Sequence, residues 1–120
     1  MSIIIRMPPE RIPTSLLPLK NDVLLVLLAL GQEPLHGYAL MERIEADSGV
    51  VVQAGAFYRT LRNMLEDGLL EEIDPPDVAD GDARKRRVYR ITRQGRSVTR
   101  AELDRLAALV RRGRAFAKRS

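Results

Sequence analysis

Cysteine is absent from this chain, and histidine occurs once, as His36. The first absence excludes a disulfide scaffold and any thiolate metal site, and suits a reducing cytosol. A cytoplasmic location is the expectation. With one histidine, a multi-histidine metal cluster is excluded as well; neither a metal nor another cofactor is called for. Long apolar runs are also missing. The longest, from Val23 to Leu30, has eight residues, well short of the roughly 20 a membrane span needs. Residues 1–18 do not read as a secretory signal. Ile3, Ile4 and Ile5 make too short an apolar stretch, and Pro8, Pro9, Pro13 and Pro18 oppose helix. This segment reads as an N-terminal arm, either loose or packed on a partner subunit.

What is present is one domain's worth of chain with an appended helix: 120 residues, 45% apolar and 30% charged. That is enough to build a core and too little for two catalytic domains. The charge is divided along the chain. Residues 1–83 hold 6 Lys/Arg against 14 Asp/Glu, whereas residues 84–120 hold 14 against 2. Arginine supplies 17 of the 20 basic side chains, and its planar fork matches phosphates and base edges better than lysine's point charge. The split points to a polyanionic partner; the competing reading is a solvated basic helix.

Spacing of apolar residues sets the elements. Asn21 is placed to cap a first helix, with Val23, Leu24, Leu27 and Leu28 at helical spacing and Gly31 as its stop. A second helix is predicted from about His36 to Ser48, with Gly49 at its C-terminal end. Val50-Val51-Val52 is β-branched and reads as a short strand. The third helix runs from near Ala54 to Asp67, before Gly68. Its Phe57, Leu61, Met64 and Leu65 share one face, and Gly55, Arg59, Arg62 and Glu66 lie opposite, with Tyr58 at the border. Leu69 to Ile73 and Val88 to Ile91 are predicted as antiparallel strands around a long loop, and Thr92 caps a last helix from Arg93 to about Phe116. Three helices, a hairpin and a long helix describe a mainly α fold. It is a winged helix-turn-helix with a long C-terminal dimerisation helix. The expected division is an arm at 1–18, a DNA-binding domain at 19–92 and the dimerisation helix at 93–120.

At this point the residues resemble the PadR family of transcriptional regulators. The likeness is carried by Leu28-Ala29-Leu30, Pro34-Leu35-His36-Gly37-Tyr38-Ala39-Leu40, Gly55-Ala56-Phe57-Tyr58-Arg59-Thr60-Leu61 and Leu65-Glu66-Asp67-Gly68-Leu69-Leu70. A basic cluster then leads into Tyr89-Arg90-Ile91-Thr92. The resemblance covers roughly residues 19–112. It implies a homodimer that binds operator DNA and usually represses, with the third helix as recognition helix and Tyr58 near DNA. The chain departs from the pattern at Ala54-Gly55-Ala56, where the family commonly has Pro-Gly-Ser or Pro-Gly-Thr. A favourable first-turn proline and a hydroxyl are lost there. Some family members bind aromatic drugs through a tryptophan, and this chain has none.

The candidate DNA-binding residues are Gly55, Tyr58, Arg59 and Arg62 on the third helix, and Arg84, Lys85, Arg86 and Arg87 at the foot of the wing. Arginine to guanine is the commonest specific major-groove contact. The competing reading pairs Arg59 and Arg62 with Glu66 or Asp67 on a solvated face. Asp74, Asp77, Asp80 and Asp82 make the wing loop acidic and are placed to screen its arginines. His36 reads as a helix starter and Gly37 as a close-packing position. A lone histidine with no nucleophile or carboxylate dyad makes no active site, so an enzyme is not expected. On the last helix, Leu103, Leu106 and Val110 follow 3-4 spacing, continued by Gly113 and Ala117 and widened by Ala107 and Phe116. That stripe is the candidate dimer interface. The remaining arginines of the helix stay in solvent or approach DNA backbone. Duplex DNA and a second copy are thus the expected partners, with a small-molecule effector of open identity. The alternative is a winged-helix module that binds protein and no DNA.

Overall fold

The computed structural model describes residues 16–74 and 87–119. Its elements are α1 (Asn21–Leu30), β1 (Leu35–His36), α2 (Gly37–Ser48), α3 (Ala54–Glu66), β2 (Leu70–Ile73), β3 (Val88–Ile91) and α4 (Arg93–Arg119). The winged helix-turn-helix with a long last helix is therefore the observed fold.

α1 is central because almost nothing in it is polar. Val26, Leu27, Ala29 and Leu30 are buried, and α2, α3 and α4 pack around it. The start of α1 differs from expectation. Lys20 takes the capping position with no side-chain bond, and Asn21 lies inside the helix. Asp22 instead reaches across, its Oδ2 accepting from Thr60 Oγ1 of α3 at 2.9 Å.

Two sequence readings are corrected in the sheet. Val50-Val51-Val52 forms no strand. The Val50 amide donates to Ser48 Oγ and the Val52 amide to Glu45 Oε2, so side chains satisfy the donors that a strand partner would have taken. A strand appears where none was predicted, at Leu35–His36. It pairs antiparallel with β3, Leu35 opposite Tyr89 and His36 opposite Val88. The sheet thus has three strands in the order β1-β3-β2, and the second wing strand is its centre. The remaining shifts are small. His36 caps α2 rather than belonging to it, β2 starts one residue later, and α4 runs three residues past Phe116.

Glycines end the helices as the sequence indicated. After α3, Gly68 adopts φ 77°, and the Leu69 amide donates back to the Met64 carbonyl at 3.0 Å, closing a Schellman turn. That turn receives α4. Thr92 Oγ1 donates to the Gly68 carbonyl and accepts from the Gly95 amide. Gly95 is buried there, and a Cβ at this position would run into the Leu69 carbonyl oxygen. α4 can start this close to the sheet only with glycine.

Farther along α4, Glu102 is buried at 1% exposure. Its carboxylate accepts from Arg105 Nε and a second guanidinium nitrogen at 2.7 and 2.8 Å, and from the Leu19 amide at 3.1 Å. Leu16, Leu17 and Leu19 pack against the core beside it. The described end of the N-terminal arm is thereby bound to its own chain. Residues 1–15 lie outside the described residues. No helix among the described residues is long and apolar enough to cross a membrane.

Candidate nucleic-acid interface

The outward face of α3 follows from its amphipathicity. Phe57, Leu61 and Met64 are buried, so Gly55, Arg59 and Arg62 are turned outward and exposed. Arg59 and Arg62 make no hydrogen bond or ion pair among the described residues. The reading in which they pair with Glu66 or Asp67 is not realised, and both guanidinium forks remain available to a ligand.

Gln53 joins the site although nothing in the sequence pattern marks it. Its Oε1 accepts from the Ala56 amide at 2.8 Å and caps α3. The cap that the absent proline and hydroxyl would have favoured is supplied from one residue before the helix. Because Oε1 is committed to the backbone, the Gln53 amide nitrogen is left as a donor near Gly55. No signal of spacing announced this, since glutamine is an uncommon N-cap.

Tyr58 is in the expected place but is not simply a solvent-facing reader. It is 41% exposed, and its ring meets Phe57 edge-on at 5.4 Å. Its other neighbour is the start of α2. A Cβ on Gly37 would lie 2.5 Å from Tyr58 Oη and 2.9 Å from Cε1. The side chain thus packs α3 against the first turn of α2. It also influences Tyr89 on β3. Burial, then the Glu72 carboxylate and Tyr58, push the Tyr89 phenol above its ordinary value, while Arg87 pulls it down. Tyr89 is accordingly a neutral phenol at physiological pH.

His36 behaves as a helix starter. Its Nδ1 accepts from the Ala39 amide at 3.4 Å.

On the wing, Arg87 donates to Glu72 Oε1 at 3.0 Å and Arg90 to Glu71 Oε2 at 2.9 Å. Both pairs bridge β2 and β3, which align Glu71 with Arg90 and Glu72 with Tyr89. Arg87 is thus held along the strand. Arg84, Lys85 and Arg86, with the loop aspartates Asp77, Asp80 and Asp82, lie outside the described residues.

The predicted dimer stripe is largely uncovered. Leu103 is 43%, Val110 51% and Phe116 74% exposed; Ala107, Gly113 and Ala117 are exposed, and Leu106 is half-buried. Between α1 and the proximal part of α4 lies a groove of about 220 Å³, with Leu27, Leu28, Ile91 and Leu103 among its lining.

Comparison with known proteins places this geometry in context. A family model described as "Transcriptional regulator PadR-like family" matches residues 26–101. Among solved structures, a PadR family regulator from Eggerthella lenta is 30% identical, with a TM-score of 0.64, covering 80% of this chain and 83% of its own. A PadR family regulator from Clostridium difficile has a TM-score of 0.71 at 16% identity, covering 82% and 99%. RosR of H. salinarum has a TM-score of 0.65 at 21% identity, covering 85% and 91%. The last two likenesses are of fold alone. No curated protein sequence matches the chain.

Proposed function

The chain belongs to the transcriptional regulator PadR-like family, and on that footing we propose that it represses transcription by binding an inverted-repeat operator as a homodimer. Family members are transcriptional regulators rather than enzymes. The observation that carries the reading is the outward, unpaired state of Arg59 and Arg62 on α3. Tyr58 and the Gln53 amide stand beside them at the helix start. A helix entering the major groove contacts base edges with its N-terminal residues, and these are the donors it needs. Gly55 lets the backbone come close. Arg84, Lys85, Arg86 and Arg87 supply phosphate contacts from the wing.

The partner copy covers the α4 stripe of Leu103, Leu106, Ala107, Val110, Gly113, Phe116 and Ala117. An exposed apolar stripe on a projecting helix favours such association, and the Leu27–Leu103 groove offers a seat for the facing helix. In this reading residues 19–92 bind DNA and residues 93–120 join the subunits. Two-fold symmetry sets the half-sites about one helical turn, some 34 Å, apart. The protein works in the cytoplasm. A small-molecule effector would act by changing the angle between the paired α4 helices, and so the spacing of the reading helices.

The test is an electrophoretic shift on the gene's own promoter. Arg59→Ala and Arg62→Ala are each expected to cost about 1–3 kcal/mol of binding to the cognate sequence. Undiminished binding by both variants would show that α3 does not read the DNA.

A further inference from the structure

α4 carries a second cationic surface that the reading helix does not use. At about 100° per residue, Arg96, Arg100, Arg111, Arg114 and Lys118 fall within about 60° of arc on one side of the helix. All five are exposed, and none makes an ion pair or hydrogen bond among the described residues. Arg105, by contrast, lies on another side and is taken up by Glu102. Asp104 stands at the edge of the stripe and Ala107 within it. The stripe extends about 33 Å from Arg96 to Lys118. Arg96 and Arg100 also line the groove between α1 and α4, so a copy seated in that groove and on Leu106, Val110, Gly113 and Ala117 leaves Arg111, Arg114 and Lys118 as the open cations of the stripe.

The stripe lies on a different helix from Arg59 and Arg62. α3 and α4 both bury their apolar sides toward α1, through Phe57, Leu61 and Met64 on one and Val98 on the other.

We propose that the α4 stripe binds the phosphate backbone of a second DNA duplex, without sequence preference, so that one dimer bridges two duplexes. This rests on the reading that the chain binds duplex DNA. Charge complementarity argues for the occupant. Four of the five cations are arginines, whose forks fit phosphate oxygens. A duplex presents phosphates continuously over the full length of the stripe. A membrane surface fits less well, because the apolar side of α4 that would have to insert is the side assigned to the partner copy. The acidic half of a second chain fits less well too. Asp22, Glu33, Glu45, Glu71 and Glu72 already accept hydrogen bonds within their own chain, and the exposed carboxylates left over on the helices of that half, Glu42 and Asp47 on α2 and Glu66 and Asp67 at the end of α3, are divided between two helices.

The experiment uses the full chain, one immobilised duplex and a second, fluorescent duplex of unrelated sequence at low salt. Protein held on the first duplex is expected to capture the second. The variant Arg111→Gln/Arg114→Gln/Lys118→Gln should still bind the immobilised duplex and lose capture by about tenfold or more. Its log–log salt slope should fall by about 0.9 for each phosphate contact removed. Glutamine is a good helix former, so the helix should survive; circular dichroism and the retained first binding confirm it. The double variant Arg59→Ala/Arg62→Ala should keep salt-sensitive, sequence-independent binding. Several outcomes overturn the proposal. Capture by the triple variant equal to that of the parent would assign bridging to the two reading heads. A parent that holds the first duplex but captures no second would remove the stripe's role while leaving the operator reading intact. A parent that binds no duplex at all would remove both. Co-sedimentation with phosphatidylserine vesicles, lost in the triple variant without any duplex capture, would give the stripe to a membrane.

Discussion

α3 and the distal half of α4 are both amphipathic helices, yet only α3 finds cover within its own chain. Phe57, Leu61 and Met64 sit at 1–5% exposure against α1 and the sheet, whereas Val110 and Phe116 stand at 51% and 74%. The proximal half of α4 resembles α3, with Gly95, Val98 and Glu102 buried. The change comes past Leu106, where the described domain no longer runs alongside the helix and residues 109–119 are all exposed. An apolar stripe that outlasts the domain beneath it calls for a surface from outside. The helices also differ in how they use charge. α3 spends two arginines on a short outward face, and α4 spreads nine basic residues along its length.

Substitution can sharpen that contrast, beginning with the largest effect. Leu61→Ala should lower unfolding free energy by about 2–5 kcal/mol, because it opens a cavity in the core. Val110→Ala removes apolar atoms from an uncovered helix face. It should leave the unfolding of the dilute chain within about 0.5 kcal/mol of the parent, yet weaken self-association measured by sedimentation equilibrium. Denaturant unfolding at two protein concentrations separates the effects. Equal loss from the two substitutions would erase the distinction between a covered and an uncovered face.

Next in size is Glu102, which joins the two halves of the comparison. The Arg105 hydrogen bonds hold its carboxyl below the usual carboxylate range, helped by the Leu19 amide and the Arg105 charge, while burial pushes the other way. A lowered folded value means that the carboxylate adds stability above its ordinary 4.5. That stability is lost as pH falls through the folded value. Glu102→Leu should cost about 1–3 kcal/mol near neutrality, since the half-buried Arg105 guanidinium and Leu19 amide lose their acceptor. It should also flatten the acid limb of the stability profile, followed by urea midpoints across pH. An unchanged acid limb would show that the carboxylate is not what fastens Leu19 to α4.

The smallest effect concerns α3 itself. Gly37→Ala places a methyl where the Tyr58 ring lies. Tyr58 is a partly exposed side chain and can swing aside, so stability should change by less than about 1 kcal/mol. Operator affinity should fall more than that change implies, measured by electrophoretic shift. Parent-like affinity would mean that the Tyr58 packing does not position α3.

Much of this was legible in the sequence because local rules carried it. Gly49 and Gly68 end their helices with positive φ, and the α3 spacing separates Leu61 from Arg59 and Arg62 correctly. The misreadings have two causes: a distant partner decides Leu35–His36 and Glu102, and a nearby side chain that no pattern announces decides Val50–Val52 and the start of α3. Leu35–His36 is too short to show an alternating pattern and becomes a strand only because β3 lies beside it. Val50–Val52 has strand composition but gives its donors to Ser48 and Glu45. The Gln53 cap substitutes for a motif whose absence was visible but whose replacement was not. Glu102 left a faint trace, since it falls one turn beyond Val98 on the buried side of α4. A charged residue at that spacing reads as solvent-facing until Leu19 and Arg105 are seen to complete it.

The central claim is that two copies join along α4 and present paired α3 helices to one operator. Selection of bound sequences from a random duplex pool tests it most directly. The account predicts enrichment of an inverted repeat whose half-site centres are about one helical turn apart, lost when Arg59→Ala and Arg62→Ala are combined. Enrichment of a single unpaired half-site, or of no sequence at all, would contradict it.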